Sequence, residues 1–308
     1  MTRSLEFRLT GAGGEPVDLV RTLNSHGFVD LPPMRLAPDY HALEITIPLG
    51  RGKPRTVLIH HGRRGRGAVT VLGPALSAAQ VERALSAVQH VLRLDADLSS
   101  FYALAAEDPD LAWTVSGAGR MIRSPTVFED VVKTICTTNC TWSATTRMVT
   151  ALVEHLGERA PNAPPGGALG RAFPTPQAMA AVPESFYRDV VRAGYRGAYL
   201  IGLSRSVVEG EVDLEAFGRA TPDELSDDAL AELLLALPGV GPYAAAHIMM
   251  TMGRYSRLIL DSWTRPTYAK LLGKKTVKDV AIERRFRRYG PFAGLAFWLF
   301  VTRDWVEG

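Results

Sequence analysis

The chain has 308 residues, of which 46% are hydrophobic and 22% are charged, and its formal net charge is +3. This length and composition allow a sizeable core in two or three packed units and argue against disorder. Its two cysteines, Cys136 and Cys140, are too few for a disulfide framework or for a four-cysteine zinc or iron–sulfur site.

The sequence shows neither a targeting segment nor a membrane span. Residues 1–8 lack an apolar signal core, and no run approaches the roughly 20 apolar residues that cross a bilayer. We therefore expect a cytoplasmic protein. Basic residues are concentrated between Arg51 and Arg66 and between Arg254 and Arg303, a distribution that suits a polyanion but also fits solvated basic faces.

The first 75 residues predict an antiparallel sheet. Partial alternation and β-branched runs indicate strands at His41–Leu49, Arg55–His61 and Ala68–Leu72, and a Gly-Arg-Arg-Gly-Arg-Gly hairpin signature joins the last two. A helix over Val17–Leu23 is expected to pack on this sheet.

From Ser77 onward the apolar period changes to 3.6, which predicts helices. Ser77 is the expected cap of the first, and Ser124 followed by Pro125 is the expected cap of another. Further helices are predicted at Thr141–Leu156, Glu184–Ala193, Ala198–Val208, Asp227–Ala236, Pro242–Met252, Lys278–Arg288 and Phe292–Trp305, with a loop over Gly157–Pro176. The predicted class is α+β, with a sheet domain at residues 1–93 and an all-helical region at 94–308.

The most informative segment is Leu237-Pro-Gly-Val-Gly241, a short turn between two helices. Pro238 fixes φ at its start, and Gly239 and Gly241 leave no side chain between the backbone and an approaching ligand. The next helix begins at Pro242, so its free N–H groups suit a phosphate. The alternative is an ordinary structural corner, because such turns occur in many helical proteins.

Four segments, taken in order, resemble the helix-hairpin-helix DNA glycosylases, and in particular the branch that contains the 8-oxoguanine and 3-methyladenine enzymes. They are Arg120–Asn139, Gly194–Leu200, the hairpin with Asp261 eighteen residues after Tyr243, and Tyr289–Phe297. The resemblance implies a pair of helical glycosylase domains, with the helix-hairpin-helix motif at about residues 227–253.

The resemblance also implies site residues. Asp261 is the expected essential carboxylate, which would stabilise the positive charge that develops on deoxyribose when the glycosidic bond breaks; a helix N-cap is its structural alternative. Asn139, with Cys140 and Thr141 behind it, is the expected wedge that fills the place of a flipped base. A helix C-cap is the alternative role for Asn139.

Relatives that also cut the strand carry a lysine where this chain has Tyr243, and a phenol cannot form the required Schiff base. Hydrolysis by water alone is therefore expected. The predicted base pocket contains aromatic and histidine side chains, each of which could instead be a core residue. They are Tyr243, His247, Phe297, Trp263 and Trp142. Such a pocket favours a cationic, alkylated base, through cation–π attraction, over 8-oxoguanine.

The sequence thus predicts a monofunctional DNA glycosylase of base excision repair, a monomer that acts on double-stranded DNA with a damaged base at the bacterial nucleoid. No cofactor and no catalytic metal are expected. The resemblance allows a structural K⁺ or Na⁺ held by the backbone of Gly239, Val240 and Gly241. Three alternatives stay open: an 8-oxoguanine-type enzyme, an inactive DNA-binding protein with this fold, and a helical interaction protein.

Overall fold

A computed structural model describes residues 4–50, 53–161 and 163–306. The N-terminal part is a five-stranded antiparallel sheet with the order β1-β5-β4-β3-β2. The strands are β1 (Ser4–Phe7), β2 (Met34–Leu36), β3 (Leu43–Ile47), β4 (Arg55–His61) and β5 (Gly67–Val71). Helices follow, so the predicted α+β class is confirmed.

The three central strands are the predicted ones, whereas both edge strands, β1 and β2, were not predicted. They have four and three residues, which is too short for an alternating pattern to stand out. Between β4 and β5 the predicted hairpin is present, with Arg64 and Gly65 at positive φ. Arg51, the first residue of the basic segment, lies outside the described residues.

Two helices cover the sheet. α1 (Leu19–Leu23) lies within the predicted range, and α2 (Ala78–Val91) begins at Ser77, whose side chain forms a capping box with Gln80. The core beneath them consists of apolar side chains from the inner face of the sheet and from both helices. Examples are Leu23, Ile45, Ile59, Val69 and Val88.

The remaining helices are α3 (Ser99–Ala106), α4 (Val127–Thr137), α5 (Trp142–Leu156), α6 (Pro176–Ala180), α7 (Arg196–Val208), α8 (Leu214–Arg219), α9 (Asp227–Leu235), α10 (Pro242–Met252), α11 (Thr264–Leu271), α12 (Asp279–Phe286) and α13 (Ala293–Thr302). The predicted helix at Glu184–Ala193 begins at Glu184 but is shorter, and its main part is a single π-helical turn, Phe186–Val190. Short 3₁₀ turns lie at Gly27–Asp30, Ala112–Ser116 and Arg287–Phe292.

Helix α10 is shared by two helical cores. Ile248 and Met249 pack with α4, α5, α7 and α9, while Ala246 and Met250 pack with α3, α12 and α13. Since α10 is buried on both sides, its N-terminal end is fixed between the two cores. The domain limits drawn from the sequence stay a prediction.

The predicted cap at Ser124 is wrong. Helix α4 begins at Val127, and the Thr126 side chain accepts a hydrogen bond from the Glu129 N–H at 3.2 Å. Ser124 is instead buried beside charged groups, where its N–H donates to Asp130 Oδ1 at 3.1 Å and its hydroxyl accepts from Lys133. Tertiary contacts, which the local Ser-Pro pattern does not report, decide this boundary.

Residues 25–28 link the sheet to the helices. The Trp298 indole N–H donates to the Ser25 carbonyl at 2.7 Å, and His26 Nε2 lies 2.5 Å from the Ile122 carbonyl. The Phe28 ring packs against His247 of α10, with 4.7 Å between the ring centroids. The sheet is thereby held against α10 and α13.

Candidate active site

The turn between α9 and α10 has the geometry of a type II turn. The Val240 N–H donates to the Leu237 carbonyl at 3.2 Å, and Gly239 has a φ of 80°. A Cβ at Gly239 would lie 2.6 Å from Tyr199 Cδ2. Glycine is therefore required here both by backbone conformation and by the close approach of Tyr199.

Gly241 has a different environment. It precedes Pro242, the first residue of α10, without a side-chain cap, and a Cβ built on it would meet no described atom within 4 Å. In the described part of the chain no acceptor is found for the N–H groups of Tyr243 and Ala244, so both are available to a ligand. Such a helix end binds anions, and a phosphate suits it best.

The hairpin backbone also offers oxygen atoms. The Gly241 carbonyl accepts from the Ala245 N–H at 2.9 Å, whereas for Gly239 and Val240 the described part of the chain shows no backbone N–H donating to the carbonyl. Carbonyl oxygens of this kind are suitable ligands for K⁺ or Na⁺. The residues present therefore fit the predicted monovalent cation.

Asp261 lies at the start of α11 and is tied there by three hydrogen bonds. Its Oδ1 accepts from the N–H groups of Trp263 and Thr264 at 2.8 and 2.6 Å, and its own N–H donates to Thr264 Oγ1 at 2.9 Å. For Oδ2 the described residues show no partner. One oxygen orients the carboxylate and the other stays available, so a structural and a chemical role are compatible.

A cavity of about 980 Å³ brings the hairpin, Asp261 and the predicted wedge together. We call it the hairpin cavity. Its lining includes Asn139, Cys140, Thr141, Trp142, Tyr195, Tyr199, Gly239, Gly241, Pro242, Tyr243, Leu260, Asp261 and Trp263. The lining extends from Thr137 to Trp263, so residues up to 126 positions apart in the sequence border one space.

Tyr243 lies half-buried in the wall of this cavity. Its hydroxyl is 3.4 Å from Thr137 Oγ1, and its ring centroid is 6.1 Å from that of His247. Burial raises the pKa of the phenol, and the nearby negative charge of Asp261 raises it further. At neutral pH Tyr243 is therefore an uncharged aromatic surface with a hydroxyl at its edge.

The predicted wedge is exposed and has an unusual backbone. Asn139 has a φ of 46°, and its side-chain amide lies 3.5 Å from the Tyr195 hydroxyl. The C-cap of α4 is Thr138, whose carbonyl accepts hydrogen bonds from the Arg196 guanidinium. Asn139 is thus not the C-cap, and it projects from a loop that Thr138 and Arg196 hold in place.

The residues after Asn139 have mainly structural partners. Thr141 caps α5 by accepting from the Ala144 N–H at 3.3 Å, and Cys140 Sγ donates to the Cys136 carbonyl at 3.1 Å. Cys136 itself is fully buried. These contacts brace the loop that carries Asn139.

Two predicted pocket residues do not line the hairpin cavity. Phe297 is fully buried in the second helical core, against Tyr268 and Phe286, so the interpretation that it shapes the base pocket is corrected. The helical period of the final segment alone could not show which of its aromatic faces turns inward. His247 lies behind Tyr243 and is buried as well.

His247 belongs to a small aromatic cluster with His26 and Phe28. Burial lowers the pKa of His247 to about 3 and that of His26 to about 4, so both rings are neutral at physiological pH. His247 Nδ1 is buried without a hydrogen-bond partner in the described part of the chain. A buried unpaired nitrogen costs free energy unless a ligand satisfies it.

Trp142 and Trp263 both line the hairpin cavity and are exposed, and their role as walls of a base pocket stays a prediction. Trp142 lies against Gly27, where a Cβ would come within 3.1 Å of its ring. Trp263 packs on Trp298 and Trp305, with ring centroids 5.9 and 5.4 Å away. These two rings add to the aromatic lining of the cavity, which also includes Tyr195, Tyr199 and Tyr243.

Sequence reasoning did not assign Tyr195, Tyr199 and Thr137 to the site. Tyr195 and Tyr199 belong to the Gly194–Leu200 segment, which carried part of the family resemblance without a role for its side chains. Its two tyrosines are four positions apart, a spacing that places both on one helix face and could have indicated a shared role at the site. Thr137 carried none, because only the fold brings it to Tyr243.

Only part of the C-terminal basic cluster, the Lys and Arg residues between Arg254 and Arg303, is free of ion pairs in the described part of the chain. Arg254, Arg257, Arg265, Arg285, Arg288 and Arg303 form ion pairs with aspartates. In the described ranges no ion pair is found for Lys270, Lys274, Lys275, Lys278, Arg284 and Arg287. About half of the cluster therefore remains available to a polyanion.

Within residues 4–50, 53–161 and 163–306, no helix is both long and apolar enough to cross a membrane. The same residues contain no group of three or more His, Cys, Asp or Glu side chains that could hold a metal ion.

Comparison with known proteins identifies the fold. The chain is 24% identical over 228 residues to the probable N-glycosylase/DNA lyase of Methanothermobacter thermautotrophicus, a match that covers 67% of this chain and 70% of the relative. The 3-methyladenine DNA glycosylase from Archaeoglobus fulgidus matches with a TM-score of 0.72 and 16% identity, over 99% of this chain and 100% of that one.

The Clostridium acetobutylicum 8-oxoguanine glycosylase/lyase, bound to double-stranded DNA with cytosine opposite 8-oxoguanine, has a TM-score of 0.65 and 18% identity, and the match covers 91% of this chain and 92% of that one. No family model matches the chain. At these identities the structural matches establish the fold alone. It is the fold of the helix-hairpin-helix DNA glycosylases, which confirms the resemblance predicted from the four motifs.

Proposed function

We propose that the protein is a monofunctional DNA glycosylase that flips a damaged base from duplex DNA and hydrolyses its N-glycosidic bond. One observation carries this proposal: the Asp261 carboxylate, the open N-terminal end of α10 and the exposed Asn139 all border a single cavity. A phosphate on the hairpin would place the adjacent sugar near Asp261, while Asn139 would fill the vacated stack.

The chemistry follows from the position of Asp261. As the bond between C1′ and the base nitrogen breaks, its electron pair leaves with the base and positive charge develops on the sugar. A fixed carboxylate stabilises that charge, and it can also orient the water that adds to C1′. The hydrogen bonds from Trp263 and Thr264 to Oδ1 hold the carboxylate in place before the DNA binds.

The residues that line the hairpin cavity support a reaction without strand cleavage, because such cleavage needs an amine. In the part of the chain that the structure describes, no lysine lines the hairpin cavity, and Tyr243 follows the second hairpin glycine by two residues. A Schiff base needs an amine close to the sugar. The alternative, a strand-cutting enzyme, is favoured by the name of the archaeal relative, which includes DNA lyase activity.

The proposed substrate class is an alkylated, cationic purine. Tyr243, Trp142 and Trp263 supply aromatic faces, which attract a cation more strongly than a neutral base. Phe297 supplies no aromatic face to the cavity, because it is a core residue. An oxidised purine is the second candidate, because His247 Nδ1, behind Tyr243, is a polar atom that is unpaired among the described residues and suits the polar edge of such a base.

The test is a screen of duplexes that carry one alkylated, oxidised or deaminated base, each scored with and without alkali. We expect base release from an alkylated duplex, with strand cleavage only after alkali. Strand cleavage without alkali, or a covalent complex trapped by borohydride, would contradict the monofunctional assignment.

Asp261→Asn separates an enzyme from an inactive DNA-binding protein. The asparagine oxygen can still accept from Trp263 and Thr264, so the fold should persist while the charge is lost. We expect excision to fall by at least about 10²-fold with DNA binding retained. If the parent protein releases no base from any duplex and both proteins bind DNA equally, Asp261 is only a structural residue.

The proposed partner is double-stranded DNA with a damaged base, bound by one copy of the chain. No cofactor is proposed for the reaction. A K⁺ or Na⁺ at the carbonyl groups of Gly239 and Val240 would add positive charge next to the bound phosphate. The hairpin residues themselves bind and orient that phosphate through the N–H groups of α10.

A further inference from the structure

A second cavity, of about 720 Å³, lies on the other side of the N-terminal end of α10. It shares Pro242, Tyr243 and Leu260 with the hairpin cavity. The first turn of α10 therefore separates two openings, and a chain that crosses the hairpin would pass from one into the other.

Three arginines line this second cavity, which we call the arginine cavity: Arg257, Arg265 and Arg287. Glu283 is the one acidic residue among the described residues of its lining. The floor is apolar and consists of side chains from α9 and α10. They include Ala231, Leu235, Ala245 and Met249. Cationic groups over an apolar floor suit a sugar–phosphate unit, whose sugar is largely apolar and whose phosphate is anionic.

Two of the three arginines, Arg257 and Arg287, are available to a phosphate. Arg287 is exposed and has no ion pair in the described ranges. Arg257 pairs with Asp228, whose side chain is 85% exposed, and Arg265 pairs with a half-exposed Asp279. Ion pairs between exposed groups are weak, so a phosphate can replace Asp228 at little cost. Two parallel hydrogen bonds hold Arg265 on Asp279, so this pair is stronger.

We propose that the arginine cavity binds the backbone of the damaged DNA strand next to the flipped nucleotide. This inference rests on the proposed function, because the hairpin cavity must hold the flipped nucleotide for the neighbouring phosphates to reach the arginines. The strand then follows a continuous path past the hairpin, and Arg287 contacts a phosphate that the hairpin N–H groups do not reach.

The test measures DNA affinity against salt concentration in the Asp261→Asn background, where the duplex stays intact. Arg287→Gln should lower the slope of log affinity against log salt by about 0.9, the value for one lost phosphate contact, and should weaken binding at low salt. Arg284→Gln is the matched control, since Arg284 is exposed on the neighbouring α12 and lies outside the lining. Equal slopes for parent and Arg287→Gln, or equal losses for both variants, overturn the inference.

Single methylphosphonates, which neutralise one phosphate at a time, locate the contact. In duplexes that carry them at successive positions of the damaged strand, one position beside the lesion should weaken the parent protein but not Arg287→Gln. If no position shows this coupling, the arginine cavity does not bind the strand. If the coupling appears while the wild-type chain excises no base, the proposed enzymatic function fails and the inference stands.

Discussion

Two glycines of the same turn have different physical reasons to be glycine. Gly239 has positive φ and touches Tyr199, so its role lies in the fold of the hairpin. Gly241 has an ordinary extended φ of −101° and faces open space, so its role lies in what approaches from outside. Sequence alone gives the two residues the same role.

Alanine at the two glycines should therefore affect different properties: stability at Gly239 and DNA binding at Gly241. Gly239→Ala is expected to destabilise the protein by at least about 1 kcal/mol, because of the left-handed φ and the clash with Tyr199. Gly241→Ala should change stability by less than about 1 kcal/mol, yet weaken DNA binding about tenfold, because its methyl group would stand where a phosphate approaches. Chemical denaturation and DNA titration measure the two effects. Parent-like DNA affinity in Gly241→Ala would show that the phosphate binds elsewhere.

At the scale of elements, the N-terminal end of α11 fixes the orientation of the Asp261 carboxylate. Helix α11 begins next to Asp261, and Thr264 in its first turn joins the two by accepting from the Asp261 N–H and donating to the Ile259 carbonyl at 2.8 Å. The same helix start that caps α11 thus orients the carboxylate. The N-cap of α11 is Trp263, and Asp261, two residues earlier, accepts hydrogen bonds from the Trp263 and Thr264 N–H groups. These contacts are compatible with the proposed catalytic role of the Asp261 carboxylate.

If Asp261 acts as proposed, we expect Thr264 to position its carboxylate, and Thr264→Val tests this expectation. Valine keeps the buried shape but removes both hydrogen bonds, which should cost about 1–2 kcal/mol of stability. We expect the single-turnover excision rate to fall about tenfold while DNA affinity stays within twofold. Thr267→Val, which removes a hydroxyl bonded to the Trp263 carbonyl in the same helix, is the control. Equal rates for the two variants would mean that Thr264 does not orient Asp261.

At the scale of the whole molecule, three histidines have lowered pKa values; His26 and His247 are buried, and His90 is partly buried. Burial lowers the pKa of His26 and of His90 to about 4, and that of His247 to about 3. In the unfolded chain these histidines are protonated as the pH falls below about 6.5, whereas in the folded chain they stay neutral until about pH 3–4. Stability is therefore complete above pH 6.5 and is lost as the pH falls through the window from 6.5 to about 4.

The free energy of unfolding should accordingly drop between pH 7 and pH 5, by about 2 kcal/mol for each such histidine. His247→Phe keeps an aromatic ring in the cluster with Phe28 and removes one titrating group, so its decline should be smaller by about that amount. His41→Phe, at an exposed site, is the control and should decline like the parent. Urea unfolding at a series of pH values gives the comparison, and identical declines in all three proteins would contradict the expectation.

The sequence by itself determined the fold class, the central strands, most helices, and the hairpin with Asp261 behind it. These features depend on local periodicity, on turn residues and on the spacing within one segment, which the linear order retains. Helix α10 is an example, since its predicted and observed limits coincide.

Only the tertiary structure decided which side chains share a space. In the structure Phe297 is a core residue and His247 lies behind Tyr243. Tyr195 and Tyr199 lie beside the hairpin, and half of the C-terminal basic residues form ion pairs with aspartates. The physical reason is that burial, close approach and charge pairing depend on residues far apart in the chain. A helical period reports an apolar face, but the packing of neighbouring elements decides what that face meets.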